Sequence, residues 1–110
     1  MPSTKEYLEY VLEQLSETEE ISYRAMMGEY VLYCKGKVVG GIYDNRLLIK
    51  PTESAKNLLH DASYEFPYEG AKEMLLADII DDKQRLKELF ESVADDLPAP
   101  KRKAKNNEIL

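Results

Sequence analysis

Hydrophobic positions along this chain change their period twice. Tyr7, Leu8, Val11, Leu12 and Leu15 recur at helical spacing, so they line one face of an amphipathic helix over about residues 3–17. Ahead of it, Ser3-Thr-Lys-Glu6 reads as a capping box, with Ser3 as the N-cap. After the polar break Glu17-Thr-Glu-Glu20 the period drops to two. Ile21, Tyr23, Ala25 and Met27 share one face of a strand, and Ser22, Arg24 and Met26 share the other. Gly28 ends that run. Tyr30–Cys34, Val38–Tyr43 and Arg46–Lys50 read as further strands, joined by tight turns at Lys35-Gly36 and Asp44-Asn45. Such short connections between consecutive strands predict an antiparallel meander.

The helical period then returns. Thr52 is placed to cap a short helix with Ala55, Leu58 and Leu59 inward. A tyrosine-rich loop follows, with Tyr64, Phe66, Pro67, Tyr68 and Gly70, and Lys72–Ala77 reads as a fifth strand. Asp81 or Asp82 caps a last helix whose apolar positions are Leu86, Leu89, Phe90, Val93 and Leu97. The order α-β-β-β-β-α-β-α predicts an α+β two-layer sandwich, an antiparallel meander sheet with its helices on one face. Tyr30–Cys34 and Leu47–Ile49 are apolar at successive positions, hence on both faces of the sheet. The face without helices is therefore expected to carry an apolar, tyrosine-rich patch too large to stay wet. A second copy in a twofold homodimer is the favoured cover; the alternative is that loop 61–71 folds over it.

Composition narrows the function classes. The chain has 110 residues, 44% hydrophobic and 33% charged, which suits one ordinary folded domain. Its net charge of −6 argues against broad electrostatic binding to nucleic acid or anionic membrane, so direct nucleic-acid binding is not expected. The start, Met1-Pro-Ser-Thr-Lys-Glu6, has no apolar stretch, so no signal peptide is expected, and no apolar run approaches the ~20 residues that cross a bilayer. A cytoplasmic protein with no membrane association is the expectation. The composition shifts at Pro98: residues 1–97 hold 11 basic and 20 acidic side chains, whereas 98–110 hold 4 basic and 1 acidic. The chain divides on this basis into a domain over 1–97 and a basic, flexible tail over 98–110.

Candidate chemistry is sparse. One cysteine, Cys34, excludes an internal disulfide and a thiolate-rich metal site, and one histidine, His60, excludes a multi-histidine site. Cys34 lies in an apolar strand and reads as a core residue. His60, at the end of a short helix, has no recognisable nucleophile or orienting acid beside it. Glu19-Glu20, Asp81-Asp82 and Asp95-Asp96 sit at element ends, where caps and solvated charges are expected. Gly40-Gly41 lacks the spacing of a phosphate loop and reads as a bulge, or as bare backbone under a tyrosine ring. No catalytic residue, metal or cofactor is expected.

A family resemblance lies in the central block. Ser22-Tyr-Arg24-Ala-Met26-Met-Gly28-Glu-Tyr30-Val-Leu-Tyr33-Cys-Lys-Gly36-Lys37 resembles the hallmark stretch of the TfoX (Sxy) N-terminal domain. Leu47-Leu-Ile-Lys50 resembles that family's following strand, and Phe66-Pro-Tyr68-Glu-Gly70-Ala-Lys72-Glu-Met74 its later segment. The resemblance covers about residues 4–97. Met27, Val31 and Leu48 depart from the family's usual Phe, Gly and Tyr. The resemblance implies a non-enzymatic regulator linked to competence-gene transcription, acting through protein contacts with a transcription regulator such as the cyclic AMP receptor protein. Arg24, Met26, Gly28, Tyr30, Tyr33, Gly36 and Lys50 match the motif, and Tyr68 joins them as a candidate contact. Arg24 and Lys50 are the strongest candidates for function, either at a protein interface or as the clamp of a small anionic ligand. An ion pair between Arg24 and Glu29 is the structural alternative.

Overall fold

The structure, a computed structural model, describes residues 3–98. The elements run α1 (Lys5–Gln14), β1 (Ile21–Met26), β2 (Glu29–Cys34), β3 (Lys37–Tyr43), β4 (Arg46–Ile49), α2 (Glu53–Leu58), β5 (Tyr64–Glu65), β6 (Met74–Leu76) and α3 (Lys83–Asp96). The expected order holds, with one addition: the tyrosine-rich loop contains the two-residue strand β5. The basic tail expected over 98–110 lies outside the described residues beyond Pro98.

Three two-residue turns build the meander. Met27-Gly28, Lys35-Gly36 and Asp44-Asn45 all have positive φ at both positions, the backbone of a type I′ hairpin. Met27 is thus a turn residue, where period-two alternation placed it in the strand. The sheet order is β1-β2-β3-β4-β6-β5, antiparallel throughout. Between Leu32 and Tyr33 the β2–β3 register shifts, leaving Val39 unpaired between Val38 and Gly40. This is a bulge beside the glycine pair. A Cβ on Gly41 would lie 2.6 Å from the Tyr30 carbonyl and 2.7 Å from the Tyr43 ring, and one on Gly40 would overlap the Leu48 carbonyl. Both readings of Gly40-Gly41 are therefore realised together.

The three helices of the described residues lie on one face of the sheet. Leu8, Val11 and Leu15 of α1 and its C-terminal turn, Ala55 of α2, and Leu86, Leu89, Phe90 and Val93 of α3 form one core with the sheet side chains Leu32, Cys34, Val39, Ile42, Leu47, Ile49 and Leu75. Side chains cap the helices. Thr52 accepts from the Ala55 N–H at 3.3 Å and Asp82 from the Arg85 N–H at 3.1 Å. The N-cap of α1 is Thr4, which accepts from the Tyr7 N–H at 3.1 Å, so the capping box on Ser3 is corrected. The Ser3 hydroxyl is already engaged at long range: it donates to Glu29 Oε1 at 2.6 Å and accepts from the Asn45 N–H at 3.0 Å.

Two polar ties hold the C-terminal helix. Lys37 Nζ donates to the carbonyls of Ala94 at 2.9 Å and Leu97 at 3.2 Å. A cation there satisfies end carbonyls and the negative pole of α3. Asp96 Oδ2 accepts from the Ser54 N–H at 2.8 Å, and that bond holds its carboxyl below the ordinary aspartate range.

Candidate functional site

Cross-strand partners share a face, so Arg24, Val31, Gly41, Leu48 and Leu76 form one row across the face opposite the helices. Met26, Tyr33, Val38, Tyr43, Arg46 and Lys50 lie on that same face. A second copy is the expected cover of this face, and over β3 and β4 the chain covers it itself. Leu48 is fully buried, Tyr43 and Val31 nearly so. The cover is the segment between β5 and β6, where Pro67 is buried and the Tyr68 ring centroid lies 6.1 Å from that of Tyr43. Arg46 fastens this segment. Its guanidinium contacts Glu65 Oε1 at 2.7 Å and donates to the carbonyls of Phe66 and Tyr43, each at 3.1 Å. The alternative cover, a loop folded over the second face, is thus the arrangement found, and the patch that motivated a face-to-face dimer is largely closed.

The candidate residues fall into two groups. Lys50 and Tyr68 belong to the first. They line a groove of about 550 Å³ between the covering segment and β3–β4, together with Val38, Tyr43, Thr52 and Met74. Burial, and secondarily the neighbouring Tyr68, pushes the Tyr43 phenol above its ordinary value. The groove is mostly apolar, with Lys50 and Lys72 as its cations and Glu73 as its acid.

The second group sits on the β1–β2 hairpin. Arg24 and Met26 are exposed, Met27 is 96% exposed, and Gly28 completes the turn. Tyr30 packs from the helix side, edge-on to Tyr23 at 6.0 Å, and Tyr33 is half-buried on the other face. Gly36 lies in the turn at the far end of β2. The motif therefore marks a hairpin and does not close a single pocket. Arg24 and Lys50 do not converge: their rows are separated by the three strand spacings from β1 to β4, about 14 Å, which corrects the two-cation clamp. Nor does Arg24 pair with Glu29. That carboxylate accepts from the Ser3 N–H at 3.2 Å and the Asp44 N–H at 3.1 Å, besides the Ser3 hydroxyl. Arg24 makes no ion pair or hydrogen bond among the described residues.

Cys34 and His60 are structural and solvated, respectively. Cys34 is buried, its thiol donates to the Glu19 carbonyl, and burial pushes its pKa up, away from thiolate reactivity. His60 lies on the surface 3.4 Å from the exposed Asp61. Among the described residues no group of three His, Cys, Asp or Glu side chains is placed to hold a metal. No helix there is long and apolar enough to cross a membrane.

The order of these elements, the hairpin motif and the covering segment all follow the resemblance read in the sequence. The profile of the TfoX N-terminal domain matches residues 13–96. The chain belongs to the TfoX N-terminal domain family. The matched stretch begins near the end of α1 and ends at the last residue of α3, so the match to the TfoX N-terminal domain spans the whole sheet, α2 and α3. A similar protein from Spirochaeta aurantia, described as an uncharacterised 12.7 kDa protein in the trpE 5′ region, is 37% identical over 107 residues. That alignment covers 96% of this chain and 93% of the relative.

Sequence reasoning missed two functional or structural anchors. The sequence reading gives Arg46 only as the first residue of a strand, and Lys37 only as part of the motif. Arg46 beside an Asx turn is a faint local signal; the partners of Lys37 lie 57 and 60 residues away and leave none.

Proposed function

We propose that this TfoX N-terminal domain is a non-enzymatic interaction module of the cytoplasm, regulating transcription of competence-type genes through protein contacts made by its β1–β2 hairpin. One observation carries the reading: Arg24, Met26 and Met27, in the block that resembles the family hallmark, are exposed instead of packed. Arg, Met and Tyr are the side chains enriched at the buried centres of protein interfaces. An unpaired guanidinium next to exposed methionines suits a partner surface with a carboxylate set among apolar groups. A photo-crosslinking residue at Met27 in the native host tests this. Adducts with a transcription regulator or RNA polymerase, together with lowered competence-gene transcripts in a folded Arg24→Glu variant, are expected. Unchanged transcripts in that variant and in a deletion strain overturn it.

The groove favours a second reading, a small anionic ligand beside Lys50 and Lys72. Saturation at a hundred times Kd adds about 2.7 kcal/mol of stability. A thermal-shift screen of anionic metabolites with no change sets this reading aside.

A further inference from the structure

The two edges of the sheet are built differently. β5, at one edge, is two residues long, and its Glu65 is held by Arg46. β1, at the other edge, is six residues long, contains no proline or lysine, and pairs with β2 without a register shift. Short length, proline, charged side chains and bulges are the devices that keep sheet edges from pairing with further strands. Of these β1 has only Arg24, its one charge.

The backbone shows which groups on β1 are unused. The Lys35 N–H donates to the Glu20 carbonyl at 3.0 Å, so that carbonyl faces β2. Successive residues of an extended strand point their N–H and C=O groups to opposite sides, and an antiparallel ladder bonds every second residue. Ser22, Arg24 and Met26 therefore bond to β2, and Ile21, Tyr23 and Ala25 turn both backbone groups outward. From Ser22 to Met26 the strand is exposed.

We propose that β1 is a self-pairing edge, at which a second copy of the chain adds its own β1 antiparallel across a twofold axis through Tyr23. Two sheets of six strands then become one. Register and charge select this partner. With the axis at Tyr23, Ile21 lies opposite the second copy's Ala25, and Tyr23 opposite its own counterpart. Every outward backbone group is then bonded. On the other face Arg24 lies opposite Ser22. Moving the axis to Arg24 would set two guanidiniums directly opposite, which is destabilising, and would leave Ile21 beyond the end of the ladder. Moving it to Ser22 leaves Ala25 unpaired. The best self-register is thus also free of like-charge opposition. Tyr23, 47% exposed, adds an aromatic contact at the axis. An edge of this length falls within the weak class of interfaces, below ~1,200 Å², so the dimer is reversible. This goes beyond the regulatory reading and does not depend on it, since the hairpin turn at Met27 stays outside the paired segment.

Sedimentation and amide exchange of the full chain over a wide concentration range test the proposal. The average mass should rise from 12.7 kDa toward twice that value. The amides of Ile21, Tyr23 and Ala25 should gain protection with concentration, while those of Ser22 and Arg24 are protected throughout. Ala25→Pro removes an outward N–H and leaves the β1–β2 bonds in place. It should hold the mass at the monomer with the melting temperature nearly unchanged. Should that variant unfold, exchange in the unsubstituted chain decides. A constant monomer mass overturns the proposal. So does a dimer in which those three amides exchange freely at every concentration.

Discussion

Met27 has a φ of 53° and an almost fully exposed side chain, a backbone position better suited to asparagine or glycine. A residue other than glycine, asparagine or aspartate costs about 1 kcal/mol there. Met27→Asn should therefore raise stability by about that amount, or about 4–8 °C in melting temperature for a domain of this size. Denaturant unfolding checks it; no gain would mean that the methionine makes compensating contacts. A local cost at an exposed apolar residue fits a surface shaped by something other than folding. Gly41 is constrained in the opposite sense. It is set by the Tyr43 ring lying across it, which is how a tyrosine becomes nearly buried on the face without helices.

Among the elements, the covering segment is the one most dependent on a single side chain. Arg46 joins β4 to β5 and to the Phe66 carbonyl. Arg46→Ala should speed amide exchange across β5, β6 and the intervening segment at least tenfold, a loss of about 1.5 kcal/mol of local stability. Unchanged exchange there would show that Tyr68 and Pro67 hold the segment unaided. Arg46→Lys should restore little, because a lysine cannot present the guanidinium fork. The elements themselves were largely legible because each long one has a clean period. Leu86, Leu89, Phe90 and Val93 announce α3, and the Asx and Lys-Gly turns announce the hairpins. What escaped was either too short or too distant. Two residues of β5 carry no period. Alternation ran through Met27 because a polar or apolar side chain says nothing about φ. Ser3 looked like a cap because its partner Glu29 is 26 residues away. The candidate site was legible as a motif and illegible as geometry. The sequence brought Arg24 and Lys50 to notice together, and only the strand order shows that β2 and β3 stand between them.

At the scale of the whole molecule, β1 is peripheral. Only Ile21 of its six residues packs against the core, and the central sheet and three helices are complete without it. The rest is assembled from neighbours: β1 to β4 follow one another through two-residue turns, so their contacts close short loops at small entropic cost. The contacts of Lys37 with the end of α3 span 57 and 60 residues, about half of the chain. Chains rich in short-range contacts fold fast, and distant closures come late. The Lys37 clasp therefore belongs to the final stage of folding. Lys37→Met, which forfeits two charge-assisted bonds worth about 1.5–3 kcal/mol each at most, should leave the refolding rate nearly unchanged and hasten unfolding. A stopped-flow chevron in which refolding slows instead would place the clasp early. If it forms late, the lifetime of the native state is set by one lysine holding the last turn of the last helix.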